Sequence, residues 1–270
     1  MFWKRLASGI VLVILAILLV GRGGAPLLIA TALISLIGQY ELYRALSIDH
    51  KGIALIGYAA TVIYYLLVFF EGRAYMTAMI VGTLMVFMTA YVATFPEYKT
   101  EEITAAFFGM CYVSVMMSYL YLTRHHMDGK YLVWLIFLSS WGCDTLAYCT
   151  GMLFGRHKMV PKLSPKKTWE GAVGGVLGAA LLGLLYGYLL GGHMEEISNP
   201  AITCAFACGV GALISMVGDL AASAIKRNHN IKDYGKIIPG HGGILDRFDS
   251  MLFTAPAIYY AISFMEEFLN

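Results

Sequence analysis

Charge is scarce in this chain: only 13% of its 270 residues are Asp, Glu, Lys or Arg, while 59% are apolar. A soluble domain carries about a quarter charged residues. Seventeen acids and nineteen bases cannot cover the surface of a soluble protein this size. The shortage excludes a soluble enzyme, a disordered chain and a nucleic-acid-binding module, so no nucleic acid is expected as a partner. No connection is long enough to fold as a separate soluble domain. Cysteine is sparse, at 111, 143, 149, 204 and 208, always inside apolar sequence and never at zinc-knuckle spacing. Such thiols act as small hydrophobes.

Apolar sequence is what abounds. A helix needs about 20 mostly apolar residues to cross the hydrocarbon core. Nine runs qualify or nearly so: Leu6–Val20, Ala25–Tyr43, Ile53–Phe70, Tyr75–Phe95, Ile103–Thr123, Leu132–Phe154, Ala172–Gly191, Ala201–Ile225 and Met251–Leu269. The expected fold is all-α, a polytopic integral membrane protein with about nine transmembrane helices. It reads as a single membrane domain over 1–270, in which 1–131 supply scaffold spans and 132–270 the catalytic spans and loops. The first run follows Lys4 and Arg5 as a signal peptide would, yet only Gly21-Arg22-Gly23-Gly24 comes after it, so it is expected to stay. Gln39, Glu41 and Arg44 blur the end of the second run.

The bases set the orientation. With a cytoplasmic N-terminus, only Arg22, Arg73, Arg124 and Lys130 fall outside, and the other fifteen of the nineteen fall inside. This asymmetry predicts an inner N-terminus and an outer C-terminus. Glycines at 171 and 175, at 174 and 178, and at 183, 187 and 191 recur every four residues. That spacing lets a neighbouring helix approach closely and would permit a homodimer.

Two inner connections are long and polar, Gly155–Gly171 and Lys226–Ser250. Contact with anionic headgroups would account for their bases, but not for the acids nearby. Asp144, Asp219, Asp246 and Asp249 all fall in the cytoplasmic half, where a carboxylate in or beside a span needs a polar cavity or a partner. Asp246 and Asp249 are three apart, and Asp219, Ser223 and Lys226 follow i, i+4, i+7, so each set shares a helical face. Ion pairs with Lys226, Arg227 and Arg247 are one use for these acids. The other is a metal site, for which an oxygen-only ligand set favours Mg²⁺. Pro239-Gly240-His241-Gly242-Gly243 adds bare backbone that would let amide N–H groups approach phosphate.

The stretch Ser223–Asp249, SAIKRNHNIKDYGKIIPGHGGILDRFD, resembles the signature of the integral-membrane phosphatidate cytidylyltransferases, the CDP-diacylglycerol synthases. Ser223, Lys226-Arg227, Lys232-Asp233, His241-Gly242-Gly243, Asp246-Arg247 and Asp249 carry the likeness, and Ser164–Gly171 and Asp144–Gly155 also resemble this family. The resemblance implies the reaction of CTP with phosphatidate to give CDP-diacylglycerol and pyrophosphate, with membrane lipids around it, in a bacterial inner membrane. It also directs the assignment of roles. Asp219 and Asp246 are the first choices for metal ligation, with Asp144 and Asp249 as further ligands for one or two Mg²⁺ ions. Lys226, Arg227, Lys167, Ser223 and Ser164 are assigned to catalysis. Lys166, Thr168, His241, Gly242, Gly243 and Arg247 are assigned to substrate binding. Two other classes compete. An ion-coupled transporter would place its acids at the midplane with an internal repeat, and none is visible. Another lipid transferase would carry the CDP-alcohol phosphotransferase motif, which is absent.

Overall fold

The computed structural model describes residues 2–238, 240 and 242–269, and side chains throughout except those of 2–8 and Arg73. Nine long helices follow the nine apolar runs among the described residues: α1 (Phe2–Arg22), α2 (Gly24–Ala45), α3 (Gly52–Phe69), α4 (Met76–Ala93), α5 (Thr100–Arg124), α6 (Gly129–Phe154), α7 (Trp169–Leu190), α8 (Pro200–Asn228) and α9 (Leu245–Leu269). Seven of them, α2 to α8, are long and apolar enough to cross a membrane. The described apolar part of α1, Gly9–Arg22, is shorter, and α9 carries Asp246, Arg247, Asp249, Glu266 and Glu267. The protein is a polytopic all-α membrane protein.

Two features depart from the plain helical reading. Helices α5 and α6 each contain a π-helical stretch, Met110–Val115 and Leu138–Gly142. The polar connection after α6 is a small hairpin of β1 (Lys158–Val160) and β2 (Ser164–Thr168). Its strands are antiparallel, with Lys158 opposite Thr168, Val160 opposite Ser164 and an irregularity between them.

The chain separates into two compact units, one of Met1–Ser118 and His229–Arg247, the other of Tyr119–Asn228 and Phe248–Asn270. The first unit has a core of Tyr43, Ile48, Ile53, Ala54, Phe87, Ile103 and Ala106. Buried polar groups link α2, α3 and α5 there. Thr61 Oγ1 donates to Gln39 Oε1 at 2.6 Å and lies 2.8 Å from Ser114 Oγ, while Gln39 Nε2 donates to Tyr43 OH at 2.7 Å. Burial between helices is the setting in which such polar groups join spans, because no water competes for them.

The second unit is built on absent side chains. A Cβ on Gly175 would lie 2.8 Å from Ala147 Cβ of α6, and one on Gly171 would lie 2.7 Å from Ala147 O. Further along α7, a Cβ on Gly183 would meet Cys208 Cβ of α8 at 2.8 Å, and one on Gly187 would meet Ala201 Cα at 2.7 Å. The four-residue glycine spacing therefore brings the backbones of α6 and α8 against α7. Cys143, Ala172, Ala179, Ala212 and Met216 form the small core between them.

Candidate active site

The hairpin earns its place through its ends. Thr168 caps α7, its Oγ1 accepting from Gly171 N at 3.2 Å, which satisfies one of the orphan donors of a helix start. Glu170, in the first turn of α7, accepts from the Arg156 and His157 amides at 3.1 and 3.2 Å and lies 2.6 Å from His157 Nδ1. Both edges of the polar connection are thus tied to one helix. The lysines of β2 are carried on a short braced ribbon instead of a loose loop.

That ribbon borders a cleft of about 500 Å³ in the second unit, lined by Asp144, Ala147, Tyr148 and Gly151 of α6, by Lys158, Lys166, Lys167 and Thr168 of the hairpin, and by Gly171 of α7 and Met216 of α8. Lys167 reaches across to Asp219, with Nζ 2.5 Å from Oδ2. The ammonium is buried and has no hydrogen-bond partner among the described residues beyond this ion pair. Asp144 feels the negative charge of Asp219 and the positive charge of Lys167. Asp144 and Lys167, which line the cleft, thus interact with Asp219, which is not among the lining residues, and a second lysine, Lys166, stands at the rim.

Lys226 and Asp249 form a second pair in the same unit, Nζ to Oδ2 at 3.7 Å, each side chain only 13% exposed. Because α8 is unbroken from Pro200 to Asn228, Asp219, Ser223 and Lys226 do share a helical face. Ser164, at the start of β2, Ser223 and the exposed Arg227 are not among the residues lining the cleft.

The remaining motif residues belong to the first unit. Asp246, 6% exposed, accepts through Oδ2 from Tyr234 N at 2.8 Å and Gly243 N at 2.9 Å. The Gly243 amide, read from sequence as free to approach a phosphate, donates to this carboxylate. Gly242 is left-handed at φ 88° and pairs with Ile238, whose N–H donates to Gly242 O at 2.9 Å. Arg247 is exposed on the first turn of α9. His241 lies outside the described residues. Sequence reasoning gave Glu41 no role, yet this residue is 1% exposed and accepts from the amides of Ile244 and Leu245. A lone acid in an apolar run was the available signal, because an acid in that position requires a partner.

Whether the cleft suits a divalent ion rests on its donors. Among the described residues no three of His, Cys, Asp and Glu gather as a metal cage. Mg²⁺ is usually held by one or two carboxylates together with substrate phosphates and water. The Asp144–Asp219 pair fits that mode, and an all-protein cage does not.

Comparison with known proteins adds the family. The pattern that defines the cytidylyltransferase family matches residues 3–265. A phosphatidate cytidylyltransferase of Staphylococcus epidermidis is 34% identical over 250 residues, 92% of this chain and 93% of that protein. Proteins of the same name from Rickettsia felis and Thermotoga maritima are 40% and 34% identical over 154 and 172 residues. Those matches cover 67% and 63% of the two relatives, about two-thirds of their length.

Proposed function

This chain belongs to the cytidylyltransferase family of nucleotidyl-transferring enzymes, and from that premise we propose that it is a phosphatidate cytidylyltransferase of phospholipid biosynthesis. CTP and phosphatidate react to give CDP-diacylglycerol and pyrophosphate, at the cytoplasmic side of a bacterial inner membrane. What supports this reading most is the cleft lined by Asp144, Lys166 and Lys167, with Asp219 paired to Lys167.

A phosphatidate oxygen attacks the α-phosphorus of CTP in line, a new P–O bond forms, and the bond to pyrophosphate breaks. The attacking phosphate is already anionic, so no strong base is needed. The work left to the protein is to hold two polyanions together and to stabilise the charge that develops on the leaving group. Asp144 and Asp219 would hold Mg²⁺, and Asp246 and Asp249 stay in the proposed metal set, for one or two ions, on the strength of the motif. The bound ion supplies positive charge to the phosphate oxygens. Lys167 is well placed to exchange partners, since its ammonium is ion-paired to Asp219 and has hydrogens to offer a phosphate. Lys166 adds charge at the rim. Lys226 and Arg227, with Ser223 and Ser164, are assigned to further phosphate oxygens. Thr168 keeps the hairpin joined to α7, and Gly242, Gly243, His241 and Arg247 are the proposed substrate contacts of the other unit. Self-association as a homodimer belongs to the same proposal.

The direct test is an assay of the detergent-solubilised protein with phosphatidate and labelled CTP. Pyrophosphate release that EDTA abolishes and Mg²⁺ restores is the expected result. Turnover that needs no divalent ion would remove the metal from the proposal, and no release at all would remove the activity.

A further inference from the structure

Near its C-terminal end α2 carries two charges, Glu41 and Arg44. Both reach the segment between α8 and α9. Glu41 Oε1 accepts from Ile244 N at 3.1 Å, and Oε2 from Leu245 N at 2.8 Å. These amides open α9, whose first turn has unsatisfied donors and the positive end of the helix dipole. Arg44 Nη2 donates to Tyr234 O at 2.5 Å. The N–H of the same Tyr234 is held by Asp246. Both peptide groups of a 2%-exposed residue are therefore fixed.

The glycines of the segment fit the same account. A Cβ on Gly235 or on Gly243 would run into the Glu41 carboxylate. Neither residue has the left-handed φ seen at Gly240 and Gly242. Gly242 is a glycine for its backbone, whereas Gly235 and Gly243 are glycines for the volume that Glu41 fills. A carboxylate some 200 positions upstream thus shapes the stretch that carries the Gly-Gly and Asp-Arg parts of the family signature.

We infer that Glu41 is a positioning residue for nucleotidyl transfer: its carboxylate sets the placement of Gly235, Gly243, Ile244 and Leu245, and through them the substrate contacts of this segment. The inference rests on the activity proposed above. Asp246 already supplies a local cap to the turn, so a second carboxylate from another helix adds fixed placement against α2.

Glu41→Gln keeps the size of the side chain but sets an amide NH₂ against backbone N–H. The full-length variant in detergent should elute and accumulate as wild type does. Amide exchange at Ile244 and Leu245 should quicken. Turnover with CTP and phosphatidate should fall about 100-fold in kcat, the scale of a misplacement of about 1 Å. Glu41→Asp, which restores the charge, should recover part of the loss. A folded Glu41→Gln with wild-type kcat would overturn the inference. If that variant does not accumulate, Arg44→Gln releases Tyr234 O from the same clasp, and unchanged exchange and kcat there would overturn it equally. A wild-type protein that releases no pyrophosphate from CTP defeats the activity and the inference with it. An active wild type with a normal Glu41→Gln defeats the inference alone.

Discussion

Two pairs of carboxylates, one pair in each unit, are held in different ways. In the second unit, Asp219 and Asp249 face lysine ammonium groups, Lys167 and Lys226. In the first, Glu41 and Asp246 face backbone amides. An ammonium on a flexible four-carbon stem can turn from one anion to another. A peptide N–H in a folded turn has no such freedom. The lysine-paired acids are therefore suited to a site where a polyanion arrives and leaves, and the amide-paired acids to holding a shape. The cytoplasmic-half location expected from sequence for Asp219, Asp246 and Asp249 does not separate these two groups.

The sharpest way to break this contrast is Asp219→Asn. It should lower turnover at least ~100-fold, the effect of removing a key electrostatic stabiliser, while thermal unfolding in detergent stays near wild type. A large drop in unfolding temperature with turnover retained would move Asp219 into the structural group. Asp246→Asn should lose stability as well as turnover. It weakens two hydrogen bonds to a charged acceptor, and a loss of about 2 kcal/mol of stability is expected. The check is the unfolding midpoint, together with faster exchange of the Tyr234 and Gly243 amides. Thr168→Ala is the mildest case. It removes an uncharged helix cap and should cost about 1 kcal/mol, measurable as a small shift in the same unfolding curve.

The helices were legible because nine apolar runs leave few other ways to satisfy backbone polar groups in a bilayer. The glycine spacing on α7 was legible as packing for a similar reason, since close approach demands small residues at a fixed period. The hairpin was not. Its sequence, KMVPKLSPKKT, has no alternation of apolar and polar residues, and it is held at its ends by Thr168 and Glu170 and not by a buried face. The π-helical stretches in α5 and α6 left no mark that periodicity could register. The family signature marked the site residues, yet it did not say which carboxylates meet lysine and which meet amide. Glu41 was hidden most completely: its partners lie 203 and 204 positions away, beyond any local pattern.

The glycine stripe of α7 has one more implication. Gly171, Gly175, Gly183 and Gly187 are already covered by α6 and α8 of their own chain. The surface α7 still offers outward is bulky: Val173, Leu177, Leu181, Leu185 and Leu189 are all more than half exposed. A second copy docking on this helix would meet a leucine ridge, with none of the shallow seam that small residues provide. Self-assembly through α7 would then be an ordinary side-chain interdigitation, open to competition from acyl chains, and its strength would follow the lipid or detergent surrounding the protein.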